Sequence, residues 1–227
     1  MSHYTLSKKN NSIAFFDVDY TLVDGNSGLY TSLRLVQHGI LKKSRIVQAV
    51  YYSLISLFSQ PDVKKIYEVA ILDMAGWPLT KILEIGNECF EQDIKKRLFS
   101  QGVALVKKHQ KKGDRVALLS SGPYMTLQAL QKFLKADEAF TMGPEIRDGV
   151  LTSQIQFPIC YAEGKIYYAE KFARKNQIPL SKCAFYTDHI SDIPLLEKVG
   201  TPVLVNPSRR LKEIGEKKGW EILTFRR

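Results

Sequence analysis

The chain predicts an α/β fold: a parallel sheet with helices on both faces, and an all-helical segment inserted near its start. Three observations predict it. The run Ile13-Ala14-Phe15-Phe16 is apolar without interruption, as a strand buried on both faces of a parallel sheet must be. From Gly102 onward, short apolar runs alternate with helical patterns, the mark of a sheet built from strand–helix–strand units. Between these regions, residues from about 25 to 100 read as one helix after another.

Taken in order, the first strand ends at Asp17, and a helix spans Ser27 to Gln37, with Gly39 as its C′ residue. Ser44 is placed to cap Arg45 to Phe58, and Asp62 to cap Val63 to Ala75, which stops at Gly76 before Trp77-Pro78. Thr80 is placed to cap Lys81 to Asp93. After Gly102 come a helix over Val103–Lys112, a strand over Val116–Leu119 and a helix over Met125–Leu134. Asp148-Gly149 between two short extended runs signals a two-residue hairpin turn. A helix over Glu163–Asn176, a strand over Ala184–Tyr186 and a helix over Asp192–Val199 follow. The strand Val203–Val205, a helix through Leu211 and a strand over Glu221–Thr224 close the pattern. The division this implies is a core of residues 1–24 and 101–227 with a helical subdomain of residues 25–100.

A chain of 227 residues, 44% hydrophobic and 25% charged, can bury a sizeable core. Its three cysteines, Cys89, Cys160 and Cys183, are odd in number and far apart, which argues against a disulfide framework or a thiolate metal site. That pattern favours a reducing, cytoplasmic compartment. Met1 to Ser12 lacks the apolar run of a secretory signal. The most apolar helical stretch, Ile46 to Phe58, falls short of the roughly 20 residues a membrane span requires. The formal charge of +10 suits an anionic partner. The basic pairs Lys107-Lys108, Lys111-Lys112, Arg209-Arg210 and Lys217-Lys218 read as solvated helix faces. No nucleic-acid-binding pattern accompanies them, so nucleic acid is disfavoured as a partner.

The chemistry-bearing residues recur at strand ends, where open α/β sheets bind ligands. Asp17 and Asp19 follow the first strand; two carboxylates in a crevice repel unless a cation or a shared proton relieves them. Such a pair suits attack by one carboxylate with acid–base help from the other, and the blander reading is an acidic loop before a helix. Ser120 follows the strand Val116–Leu119, Lys165 stands at a helix start after Gly164, and Asp188 and Asp192 follow the strand Ala184–Tyr186. Singly these are a loop hydroxyl, a surface cation and a helix-terminal acid. Their joint, ordered occurrence is what the bland readings leave unexplained.

Asp17-x-Asp19-x-Thr21, Ser120, Lys165 and Asp188-x-x-x-Asp192 resemble the four motifs of the haloacid dehalogenase superfamily, over nearly the whole chain. The helical insert between the first two motifs is similar to that of the phosphoserine-phosphatase-like subgroup, subfamily IB. The resemblance implies a Rossmann-like core with a helical cap, and a hydrolase acting on a small anionic phosphomonoester. It implies Asp17 as nucleophile, giving an aspartyl-phosphate, and Asp19 as general acid and base. It further implies Mg²⁺ held by Asp17, the Asp19 carbonyl and Asp188, with Asp192 on a metal-bound water or orienting Lys165. Ser120 and Lys165 then grip the phosphoryl group. Asp19 separates phosphatases and phosphomutases from the superfamily's dehalogenases and P-type ATPases, which lack it.

Two departures stand out. The second motif reads Ser120-Ser121-Gly122-Pro123 where the subgroup shows Ser-Gly-Gly, making Ser121 a rival phosphate-binding hydroxyl. Asn26 stands where phosphoserine phosphatases carry a substrate-binding Glu, and a neutral amide cannot pair with a substrate amine in the same way. The aromatic residues Tyr30, Tyr51, Tyr52 and Trp77 read as packing before substrate contacts. The alternatives are a lipid-phosphate phosphatase of the phosphatidylglycerophosphatase kind, docked on a membrane surface through Ile46–Phe58, and a non-catalytic binding protein that kept the fold. Oligomeric state is not legible.

Overall fold

The computed structural model of the chain describes residues 12–44, 47, 68 and 71–227. Strand β1, Ile13–Phe16, lies at the centre of a six-stranded parallel sheet. One neighbour is β2, Arg115–Pro123, followed outward by β3, Glu138–Met142. The other neighbour is β6, Cys183–Thr187, followed by β7, Thr201–Val205, and β8, Glu221–Leu223. All four residues of β1 are buried, because helices cover both faces. Ala14 and Phe16 pack with α3, Ser100–Lys112, and α4, Tyr124–Leu134. Ile13 and Phe15 pack on the opposite side with α5, Glu163–Lys175, α6, Ile193–Leu196, and α7, Arg209–Lys218.

The inserted segment contributes α1, Ser27–Gln37, and α2, Leu79–Cys89. A π-helical turn over Phe90–Ile94 and a 3₁₀ turn over Lys95–Arg97 lead out of α2. The chain leaving the sheet and the chain returning to it pair with each other. Asp24 N–H donates to the Arg97 carbonyl at 2.8 Å, and Phe99 N–H to that of Leu22 at 2.9 Å.

The hairpin forms as expected, with β4 over Pro144–Arg147 and β5 over Val150–Ile155, antiparallel. Its two central residues, Asp148 and Gly149, have φ of 52° and 76°, both positive as a type I′ turn needs. The hairpin reaches across to the start of α2. Leu79 N–H donates to the Gly149 carbonyl at 2.9 Å, and Gly76 N–H to that of Leu151 at 2.9 Å. A third apolar cluster fills the space between, joining Leu35, Ile71, Ile82 and Ile85 to Met125, Met142 and Leu151.

Several boundaries differ from expectation. Helix α2 begins at Leu79, with Pro78 as its N-cap and no side chain capping it. Thr80, expected as the cap, is instead the second residue of the helix, and the N–H of the first, Leu79, is satisfied by the hairpin carbonyl of Gly149. Its α-helical part also ends at Cys89, short of Asp93. The helix expected over Asp192–Val199 is instead a 3₁₀ turn over Ile190–Asp192 and the short α6, which carries Pro at its start. Strand β2 runs on past Leu119 to Pro123, with a shift in its pairing to β3 on the way. The edge strand β3 had no sequence signal. Apart from Val47, which is helical and exposed, the expected helix over Arg45–Phe58 lies outside the described residues, as do Tyr51, Tyr52 and most of the helix before Gly76. Residues 71–74 are helical. Among the described residues no helix is long and apolar enough to cross a membrane. All four basic pairs are exposed, on α3 and α7 or immediately within their last turns.

Candidate active site

Asp17, Asp19, Ser120, Lys165, Asp188 and Asp192 gather at the carboxyl ends of β1, β2 and β6. Asp17 continues the ladder one residue beyond β1, its N–H donating to the Tyr186 carbonyl at 2.9 Å. Phe16 pairs with both Leu118 and Tyr186, so Ser120 and Asp188 each lie two residues beyond that row. Beyond Asp17 the chain folds into a tight turn. The N–H groups of Thr21, Leu22 and Val23 all point to the Val18 carbonyl, and Tyr20 takes a left-handed φ of 58°. That turn sends Asp19 back over the crevice, where its Oδ1 accepts from the N–H of Ser27, first residue of α1, at 3.0 Å.

Lys165 is the electrostatic centre. It is 3% exposed, and its Nζ donates to Asp17 Oδ1 at 2.9 Å and to Asp192 Oδ2 at 2.7 Å. Burial alone would lower its pKa, but the carboxylates of Asp17 and Asp192 override this and raise it, so the ammonium stays charged. Asp192 Oδ2 also accepts from the Thr187 hydroxyl at 2.6 Å. Asp192 is therefore a fully buried lysine partner, and its side chain caps no helix. Thr21, the last residue of the first motif, donates its hydroxyl to Asp188 Oδ1 at 3.2 Å.

The carboxyls carry more negative charge than one ammonium balances. Burial pushes Asp17 above the usual carboxylate range, with Lys165 pulling it back and Asp192 pushing it further. Asp188 is raised well above that range, by burial first and then by Asp17 and Asp192. Burial lifts Asp19 to about 7, against the hydroxyl and N–H of Ser27, which both favour its charged form. Asp192 Oδ1 is buried without a hydrogen-bond partner. An unpaired buried carboxylate oxygen and a crowded acidic crevice are what a small divalent cation with oxygen ligands relieves. The donor set fits Mg²⁺ in this respect. It is not a cluster of three acidic or His/Cys side chains, and no such cluster occurs among the described residues. The set would be two carboxylates, Asp17 and Asp188, with the main-chain carbonyl of Asp19.

Ser120 is 2% exposed, and its Oγ accepts from Gly122 N–H at 2.9 Å. A Cβ on Gly122 would stand 2.6 Å from Ser27 Oγ and 3.0 Å from Ser120 Oγ. Of the subgroup's Ser-Gly-Gly pattern, the second glycine is thus the one this crevice requires. Thr141 donates its hydroxyl to the Gly122 carbonyl and holds the segment from the far side. Ser121 is half-buried in the same strand. Asn26 has a local role: it is the N-cap of α1, its Oδ1 accepting from Leu29 N–H at 3.0 Å. Among the aromatic residues, Tyr30 stacks under the Arg97 guanidinium at 4.6 Å and Trp77 packs on the third cluster, so both pack as expected.

Sequence reasoning did not single out Ser27 or Thr187, each of which touches one of the acids. Asn-Ser ahead of an apolar periodic run is an N-cap signal, and that signal does locate Ser27 at a helix start.

A family model for haloacid dehalogenase-like hydrolases matches residues 14–197. A Mycobacterium tuberculosis protein named a probable phosphatase is 30% identical over 217 residues, covering 94% of this chain and 75% of its own length. A protein of the same organism named phosphoserine phosphatase is 27% identical, covering 94% and 70%. Among solved structures, a Bordetella pertussis protein of unknown function superposes with a TM-score of 0.83 at 24% identity, covering 94% of this chain and 98% of that one. A phosphoserine phosphatase carrying an analogue of its phospho-aspartyl intermediate superposes at 0.69 with 18% identity, covering 96% and 95%. These two structures share the fold: a parallel sheet flanked by helices. The motifs, their assembly around Lys165 and the match over residues 14–197 give one conclusion: the chain belongs to the haloacid dehalogenase-like hydrolase family.

Proposed function

We propose that this hydrolase cleaves a small phosphomonoester by way of an aspartyl-phosphate on Asp17. The observation that carries the reading is the Lys165 ammonium bridging Asp17 and Asp192 at the sheet's carboxyl edge, with Asp19 tied to α1 beside Ser120. In the first step an oxygen of Asp17 forms a bond to phosphorus, the bond to the leaving alcohol breaks, and Asp19 gives that alcohol its proton. In the second, Asp19 takes a proton from water as the water oxygen attacks phosphorus, which frees Asp17 and inorganic phosphate. Ser120 and Lys165 hold the phosphoryl oxygens, Lys165 as a point charge. Thr187 and Asp192 keep Lys165 in place, and Thr21 keeps Asp188 in place. Mg²⁺ bound by Asp17, Asp188 and the Asp19 carbonyl would neutralise charge on the phosphoryl group. Residues 1–24 and 101–227 form the catalytic core in this reading, and residues 25–100 the helical cap over it. The names of the mycobacterial relatives agree with a phosphatase. Asn26, occupied as a helix cap and uncharged, argues for a substrate other than phosphoserine.

The test is phosphate release across phosphorylated amino acids, sugars, nucleotides, choline phosphate and lipid phosphates. It is run with Mg²⁺, with EDTA, and with Asp17→Asn. Release that needs Mg²⁺ and vanishes in Asp17→Asn is expected. No release on any ester, or full activity in Asp17→Asn, would overturn the reading.

A further inference from the structure

We infer that Ser27 is a positioning residue for the Asp19 carboxyl, and that through it the first helix of the insert sets where the leaving-group acid stands. The inference rests on the phosphatase reading above. It begins from a geometric question: Asp19 sits on a tight turn beyond the sheet, so what fixes its side chain? One oxygen, Oδ1, accepts the Ser27 N–H at 3.0 Å. The other, Oδ2, is 3.9 Å from where a Cβ on Gly122 would stand, a point also within 3.0 Å of Ser27 Oγ and Ser120 Oγ. The acid's second oxygen, the Ser27 hydroxyl and the Ser120 hydroxyl thus surround one small space. With Oδ1 tied to α1, Oδ2 is the oxygen turned toward the side where Ser120 would hold a phosphoryl group.

Ser27 is itself immobilised by buried groups. It is 4% exposed, and its carbonyl accepts from the Thr31 hydroxyl at 2.8 Å. Thr31 Oγ1 lies 2.6 Å from Thr126 Oγ1 on α4, both residues being almost fully buried. Helix α4 begins directly after the Ser120–Pro123 segment. A closed circuit results: Asp19 to Ser27, Ser27 to Thr31, Thr31 to Thr126, and back along the chain to Ser120. Buried hydroxyl pairs are costly to break, so the circuit holds the acid and the phosphate-binding serine at a set spacing. A group held this way delivers its proton without first being ordered, which is where positioned acids gain their rate.

Three variants grade the interaction. Ser27→Thr keeps both donors and Ser27→Ala loses the hydroxyl. Ser27→Pro loses the N–H as well, at a first helical position where proline is tolerated and after Asn26, whose φ of −99° and ψ of 108° suit a residue before proline. Each is assayed with Mg²⁺ on p-nitrophenyl phosphate, whose leaving group departs without a proton, and on glycerol phosphate, whose alkoxide cannot. The readout is the ratio of kcat/KM for the two esters, which reports the step that expels the alcohol. A positioned acid contributes on the order of 10²–10⁴-fold. On that scale, Ser27→Ala is expected to lose about 10-fold and Ser27→Pro about 100-fold on the alkyl ester, each with less than about 3-fold loss on the aryl ester. Ser27→Thr should keep the wild-type ratio. Equal losses on the two esters, or none in a Ser27→Pro variant with native circular dichroism, would overturn the proposal. Asp19→Asn is the reference: if it too fails to discriminate the esters, the acid assignment itself falls and Ser27's part with it. A wild-type protein that releases phosphate from neither these two esters nor any of the wider panel would remove the phosphatase reading, and this inference with it.

Discussion

Replacing Gly86 with alanine sets two physical effects against each other. Gly86 lies inside α2, where alanine is intrinsically better by about 1 kcal/mol. A Cβ there, however, would stand 2.5 Å from the carbonyl carbon and oxygen of Met125, and 2.6 Å from its Cβ. Ordinary contact begins at 3.4 Å, so α2 must back away by about 1 Å along its contact with α4. Met125 is the second residue of α4, and main-chain atoms of a helix cannot rotate aside. Overpacking of this kind costs about 1–3 kcal/mol, and a backbone obstacle belongs at the upper end. Subtracting the helix preference leaves a net loss of about 1–2 kcal/mol. With a urea slope of about 2–3 kcal/mol per molar, the midpoint should fall by roughly 0.3–1 M. Equilibrium urea unfolding followed by tryptophan fluorescence measures it, since Trp77 packs on the apolar cluster that the move disturbs. A midpoint unchanged or raised in Gly86→Ala would refute the argument that α2 is seated on α4 at backbone distance.

Two further outcomes follow from buried groups. Lys165→Met leaves Asp17 and Asp192 without their shared cation, so kcat/KM on a turned-over ester should fall at least about 10²-fold and stability by about 3–5 kcal/mol at neutral pH; steady-state kinetics and urea melts check it, and a variant as stable as wild type would contradict the burial argument. All three cysteines are buried, and burial pushes Cys160 up to about 12, Cys183 to about 11 and Cys89 upward. The neutral thiol is the favoured form until the pH rises toward those values, so native protein at pH 8 should show no rapidly reacting thiol toward a disulfide reagent, and three after unfolding in guanidinium. A fast stoichiometric reaction at pH 8 would show that one thiol is open.

What was legible in the sequence is what chain-local physics determines. Strand β1 and helix α1 occupy the expected residues, because an apolar run and an amphipathic repeat between polar stops need no tertiary information. The acids and Lys165 were legible only together: each follows a strand or opens the next helix, in the order of the four motifs the chain resembles. Ser27 and Thr187 were not, since hydroxyl residues occur throughout the chain and only the fold brings these two to Asp19 and Asp192. The start of α2 was misplaced for a similar reason: the group that satisfies Leu79 N–H is the carbonyl of Gly149, seventy residues along the chain. Strand β3 is a partly exposed edge strand that lacks a continuous apolar run. Asn26 was weighed for its place in a motif, while its immediate bond is the ordinary one of a residue ahead of a helix.

The hydrogen bond from Asp24 to Arg97 has a consequence for how this enzyme can diversify. The two ends of the inserted segment meet at 2.8 Å, so the sheet experiences everything between them as a single loop closed at its neck. Lengthening such a loop costs little, since closure entropy grows only with the logarithm of length. Substitutions, insertions or exchanges in that stretch can therefore accumulate while the strand that presents Asp17 keeps its neighbours. The constraint on such change lies in the packing across the neck's boundary: Ser27 on Asp19, Thr31 on Thr126, Gly86 on Met125, the hairpin on Gly76 and Leu79, and the apolar cluster that joins Ile82 and Ile85 to Met125 and Met142. A lineage that preserves that packing is free to vary the rest of the insert while the strand on the other side of the neck stays as it is.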